Sequence, residues 1–148
     1  MQIRNATDAD RPSLLAAVGQ LFAHHDGMYV MQADREREPG EWLDEYMKAA
    51  DSGRGVVLVA DVGGGVAGAL FWREIATAKD GKPIASGSTF IFRPYRCLGF
   101  ATLLRARALD ALRRLGFAEF IGMADAKNAE GLASAKLEPV AFLYRVVL

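Results

Sequence analysis

Apolar positions recur along the chain with two periods, and the switches between them mark out its elements. Residues 1–6 read as a short strand. It ends at Thr7-Asp8-Ala9-Asp10, a capping box with Asp10 in place of the usual Glu. Leu14, Leu15, Val18, Leu21 and Phe22 then fall on one helical face, with Pro12 in the first turn where its missing N–H costs little. His24-His25-Asp26-Gly27 ends that helix. A polar run over 32–38 leads through Pro39-Gly40 to a second helix, 41–50, whose apolar face is Trp42, Leu43, Tyr46 and Met47. Ser52-Gly53-Arg54-Gly55 stops it.

The period then shortens. Residues 56–62 are β-branched and apolar, as a buried strand requires, and Gly63-Gly64-Gly65 turns them into an aromatic-rich strand over 66–75. Asp80-Gly81 is a hairpin signal before a third strand at 84–92, so the three strands form an antiparallel meander. Helical spacing returns in Leu103, Leu104, Ala108, Leu109, Ala111, Leu112 and Leu115, and Gly116 ends that helix. Residues 117–123 predict a strand parallel to its predecessor, 128–137 a short helix and 140–148 a terminal strand. The predicted order is β-α-α-β-β-β-α-β-α-β, a mixed α/β sheet in one domain spanning 1–148.

Composition narrows the class. At 148 residues and 51% hydrophobic, the chain buries a core without disulfides or metals, and disorder is excluded. The single Cys97 excludes a disulfide framework and fits a reducing compartment. Residues 14–23, the longest apolar-rich stretch, fall far short of the ~20 a spanning helix needs. The N-terminus has no apolar secretory segment, so a cytoplasmic protein is the expectation. Lys+Arg equals Asp+Glu at 18 each, which gives no global pull toward nucleic acid or membrane. Locally the charge is uneven. Residues 1–50 carry five basic and nine acidic side chains, net −4; residues 93–148 carry nine and five, net +4. That asymmetry fits an anionic ligand at the C-terminal half and a cationic one at the N-terminal half, or plain surface charge.

Several chemical motifs have ordinary explanations. Gly63-Gly64-Gly65-Val66-Ala67-Gly68 spells G-x-G-x-x-G, but a dinucleotide site needs a helix next, and the continuation reads as a strand. Adjacent His24 and His25 point about 100° apart on a helix and cannot share one ion; no metal is expected. Cys97 has no histidine within ten residues and reads as a small loop residue. Asp34, Glu36, Glu38, Glu41, Asp44 and Glu45 alternate with Arg35 and Arg37, as a partly self-paired surface would.

The segment Ile91-Phe92-Arg93-Pro94-Tyr95-Arg96-Cys97-Leu98-Gly99-Phe100-Ala101-Thr102 is different. A strand enters a loop with Arg, Gly and a small residue, and the loop opens into a long helix. Free N–H groups of a first helical turn, with the helix dipole behind them, favour an anion. Gly99 and Ala101 keep bulk away from it, and Arg96 can add a charge-assisted bond.

Here the chain resembles the GNAT N-acetyltransferase superfamily. Arg96-Cys97-Leu98-Gly99-Phe100-Ala101 matches its R/Q-x-x-G-x-G/A loop, and residues 91–95 are similar to its V-x-P-x-Y lead-in with Pro94 displaced by one position. Residues 1–22 and 56–75 match its opening strand and helix and its second and third strands, and Asn128 matches the Asn that opens its fourth helix. The resemblance implies acetyl-coenzyme A binding. Backbone amides of Cys97, Leu98, Gly99, Phe100, Ala101 and Thr102 would hold the pyrophosphate; main chain at Ile91 and Phe92, and Asn128, would meet the pantetheine arm. It also places the acceptor on the side of the first two helices, where the net −4 would draw a cationic amine.

Three departures follow. Many members carry a Tyr seven residues after that Asn to protonate the leaving thiolate, and Ala135 stands there. Leu137-Glu138-Pro139-Val140 replaces the Gly-Phe before the sixth strand, which predicts a shortened C-terminal hairpin. Residues 84–92 hold no carboxylate to act as base, leaving Glu74, His24, His25 or a water, so the catalytic residues stay unknown. The implied function is direct transfer of an acetyl group from acetyl-CoA to a primary amine of a small molecule or peptide. The alternative is a weakly active or inactive CoA-binding module acting as a homodimer.

Overall fold

The computed structural model describes residues 1–23 and 37–122. Within them the elements follow the predicted order. They are β1 (Gln2–Asn5), α1 (Arg11–Ala23), α2 (Pro39–Asp51), β2 (Gly55–Val62), β3 (Gly65–Thr77), β4 (Pro83–Ile91), α3 (Phe100–Arg114) and β5 (Glu119–Phe120), with 3-10 turns at Asp8–Asp10 and Arg93–Tyr95. Strands β1 to β5 lie side by side in chain order; β1 to β4 pair antiparallel and β4 pairs parallel with β5. The mixed sheet is therefore the predicted one. The predicted helix at 128–137, the strand at 140–148, Asn128, Ala135, His24 and His25 lie outside the described residues.

Alternation sets the layers. Val57 and Val59 on β2, Ala69 and Phe71 on β3 and Phe90 on β4 face α1 and α2. Val56, Leu58 and Ala60, with Leu70 and Trp72, face α3. Strand β2 is thus buried on both faces from Val56 to Ala60, which is why its sequence there is a continuous apolar run rather than an alternating one. Leu14, Ala17, Val18 and Leu21 bring α1 onto the first layer, and Trp42, Leu43 and Tyr46 bring α2. Trp42 ties that layer together: its ring centroid lies 4.1 Å from Tyr46, 5.3 Å from Phe71 and 5.6 Å from Phe22.

Two boundaries differ from the periodicity. Helix α2 begins at Pro39, because a proline is tolerated at the first helical position. Among the described residues strand β5 pairs with β4 only over Glu119 and Phe120, short of the predicted span, since it leaves β4 after Ala85. Residues 65–77 are strand throughout, so the glycine-rich run is a hairpin turn and the dinucleotide reading fails.

Candidate functional site

The site begins where β5 leaves β4. Ile84 pairs with Glu119 and Ala85 with Phe120, and the carbonyls of Pro83 and Ala85 accept from Ala118 and Ile121 at 2.8 and 2.9 Å. The same side of β4 continues through Gly87, Thr89 and Ile91, with no described strand beside it. Among the described residues this leaves a cleft edge, closed at Ala85 and unpaired from Gly87 to Ile91, about 14 Å at ~3.4 Å per residue. Gly87 is the residue this wall requires. A Cβ there would meet the Phe71 carbonyl oxygen at 1.8 Å, so any side chain would push β4 off β3.

The open end runs into the anion loop. After the 3-10 turn, Cys97 adopts φ 63°, the one non-glycine with positive φ among the described residues, and Gly99 follows at φ 83°. Gly99 is the N-cap of α3 and offers no side chain to its first-turn donors. The earliest described helical bond is Leu103 N–H to the Gly99 carbonyl at 3.2 Å. The N–H groups of Phe100, Ala101 and Thr102 precede it and have no carbonyl within the helix to bond. Cys97 and Leu98 are exposed beside them. The loop residues named from sequence thus come together at the mouth of the cleft.

Two of them behave differently from expectation. Arg96 folds back: its Nε donates to the Ile91 carbonyl at 3.0 Å and its guanidinium lies 5.8 Å from the Phe90 ring centroid. The Phe92 main chain is engaged within the protein, its N–H donating to Ala67 and its carbonyl accepting from Tyr95. Ile91 keeps its N–H on the unpaired side of β4, while its carbonyl is taken by Arg96.

On the α1/α2 side, Ser86, Ser88 and Phe90 share a face of β4 with Phe71 and Arg73 of β3, their cross-strand neighbours being Arg73 for Ser86 and Phe71 for Ser88. This face of β4 carries no carboxylate. Glu74 points to the α3 side with Ala85 and is bonded by Arg54 at 2.9 Å, so it is not aimed at the serines. Two described acids of the acidic segment are paired: Arg11 meets Asp44 at 2.6 Å, and Glu45 accepts from Arg37 and sits 3.4 Å from Arg73. Arg37 holds the Glu45 carboxyl below its usual range. Glu38 and Glu41 are exposed. Among the described residues no group of three or more His, Cys, Asp or Glu is arranged to hold a metal, and no helix is long and apolar enough to cross a membrane.

No family model matches the chain, and no curated protein matches its sequence. Solved structures do. An acetyltransferase-like protein, YncA from Salmonella typhimurium, solved with acetyl-CoA, superposes with a TM-score of 0.75 at 21% identity, over 90% of this chain and 75% of that one. A GCN5-related N-acetyltransferase from Kribbella flavida gives 0.73 at 20% identity, over 89% and 77%. The fold is the GNAT fold. An aminoglycoside acetyltransferase from an uncultured soil metagenomic sample, in complex with sisomicin, shares the GNAT fold along nearly its whole length. It covers 99% of this chain and 96% of that one, with a TM-score of 0.67 at 17% identity.

Proposed function

We propose that this protein transfers an acetyl group from acetyl-CoA to a primary amine. The observation that carries the reading is the start of α3: three first-turn donors under a glycine N-cap, at the open end of a half-paired strand. The donor set fits the molecule. A pyrophosphate suits clustered backbone N–H groups at a helix N-terminus, and Gly99 has open space where a Cβ would stand. The edge of β4 from Ile91 to Gly87 suits an extended arm with amides. Asn128, matched by sequence, would meet the same arm.

Acetyl-CoA supplies an activated thioester, and the residues here bind and orient it. The free edge of β4 directs the arm toward the closed end at Ala85, and its N–H groups are placed to polarise the carbonyl. The amine attacks that carbonyl directly, the C–S bond breaks and the proton lost by the amine ends on the CoA sulfur or in water. No Cys/His or Ser/His pair among the described residues offers a covalent route. A solvent-facing base serves best, since β4 supplies only Ser86 and Ser88 on the acceptor side.

A second reading is favoured by that missing carboxylate: a CoA-binding module with little turnover, acting as a dimer. Thermal shift with acetyl-CoA, followed by thiol release with an amine panel, separates the two. Stabilisation with thiol release is expected. Stabilisation without release from any amine would establish the module, and no stabilisation would remove both readings.

A further inference from the structure

Arg73 is the one described side chain with a buried polar atom that lacks a partner, its Nε. Water is excluded from this N–H, and no protein acceptor replaces it. The rest of the guanidinium is held loosely. Its Nη2 lies 3.4 Å from Glu45, a carboxylate already bonded twice by Arg37, and its carbon sits 5.3 Å from the Tyr46 ring centroid. Two guanidinium groups therefore share the Glu45 carboxylate, and the Arg73 contact is the longer of the two. The side chain is 37% exposed, so part of it reaches the surface although Nε does not.

Its place in the fold matters as much as its chemistry. Arg73 is the direct cross-strand neighbour of Ser86, the first β4 residue beyond the closed end of the cleft. Both side chains face α2, the side from which an acceptor would approach, and on β4 itself Ser86 and Ser88 add hydroxyl donors and no acid; the acid beside Arg73, Glu45, is bonded more closely by Arg37. A planar guanidinium with unused donors is suited to a bidentate oxyanion.

We infer that Arg73, with Ser86 beside it, anchors an anionic group on the acceptor, so that the substrate is an amine bearing a carboxylate or a phosphonate-like oxyanion. This rests on the acetyl-transfer reading and deepens it. The anchor fixes the far end of the acceptor while its amine reaches across Ser88 to the cleft. The proposal replaces a merely cationic acceptor, because Asp44 and Glu45 on α2 already face Arg11 and Arg37.

The test compares α- and ω-amino carboxylates with their carboxamides and with aminoalkylphosphonates, in wild type, Arg73→Met and Arg73→Lys. In wild type, kcat/KM should favour the charged members over the carboxamides at least tenfold, and the better of the two charged sets names the oxyanion. Arg73→Met should erase the preference through KM, and Arg73→Lys should keep part of it. Equal use of acids and carboxamides, or an unchanged preference in Arg73→Met, would overturn the assignment. The same compounds titrated calorimetrically into protein without acetyl-CoA read the anchor independently of turnover. Loss of acetyl-CoA stabilisation would sink the transfer reading alone; no binding of any acid by wild type would sink the anchor alone. Should Arg73→Met not fold, the Arg73→Lys comparison carries the same decision.

Discussion

Arg4 on β1 and Arg73 on β3 are exposed to a similar degree, 28% and 37%, yet their bonding is opposite. Arg4 spends its guanidinium completely. Both Nη atoms bond Asp10 at 2.8 Å and Nε bonds Asp61 at 2.9 Å, so one side chain ties β1, the first 3-10 turn and the end of β2. Asp10 is otherwise buried and also accepts from the N–H and hydroxyl of Thr7. Arg73 has one loose carboxylate, an aromatic face and a donor with nothing to bond. Exposure does not separate the two. What does is whether the neighbours complete the cation, and a protein that completes one arginine and leaves another unfinished uses them for different ends.

The contrast can be broken in order of effect. Arg4→Met strands the buried Asp10 carboxylate and should cost about 3 kcal/mol in urea unfolding, with acetyl-CoA affinity of the folded fraction unchanged. A loss under 1 kcal/mol would mean the Asp10–Asp61 cluster is not a structural tie. Gly99→Glu should weaken acetyl-CoA binding at least 100-fold, about 2.7 kcal/mol, by placing a carboxylate among the α3 donors. Gly99→Ala controls for the cost of a side chain at positive φ, roughly 1 kcal/mol of stability, and should keep most of the affinity. Equal affinity in the Ala and Glu variants would remove the anion site.

A pH titration sharpens the same contrast. The Arg4 guanidinium, with help from Thr7 and against the effect of burial, holds the Asp10 carboxyl down at about 2. A carboxylate held low stabilises the fold above the unfolded pKa near ~3.9 and loses that contribution as pH falls toward 2. The loss should be on the order of 2 kcal/mol between pH 5 and 2, measured by thermal unfolding, and should vanish in Asp10→Asn. The smallest effect belongs to Arg73→Met. Removing an unfinished donor should shift stability by about 0.5 kcal/mol or less, since the lost aromatic contact offsets the released desolvation. A loss as large as that of Arg4→Met would make Arg73 another structural tie.

Most of the described fold was legible because its elements carry undiluted periods. Leu14, Val18 and Leu21 could only be a helix face, and the apolar run at 56–62 could only be a strand buried on both sides. The anion loop was legible too, since Gly99 before a helical pattern and Arg96 before Gly99 are local signals. What escaped were relations across the chain. Arg4 and Asp61 are 57 positions apart, and nothing local to Arg73 announces Glu45 or Ser86. The left-handed backbone at Cys97 escaped as well, because cysteine has no preference for it. The short pairing of β5 was hidden because the apolar Phe117 and Phe120 serve packing under α3 as well as strand formation.

Strand β4 ends its pairing on one side while keeping it on the other, and this gives a single strand two exchange behaviours. The Phe92 N–H donates to Ala67, so the alternate amides of Ser88 and Phe90 turn toward β3 and lie inside the sheet. Those of Gly87, Thr89 and Ile91 turn toward the cleft, where no described strand bonds them. In deuterium oxide the label should therefore enter β4 at every second residue, quickly at 87, 89 and 91 and slowly at 88 and 90. Anything that fills the cleft as a strand would slow the odd set to match the even one, so the strand writes the occupancy of its own missing neighbour into the parity of its amides.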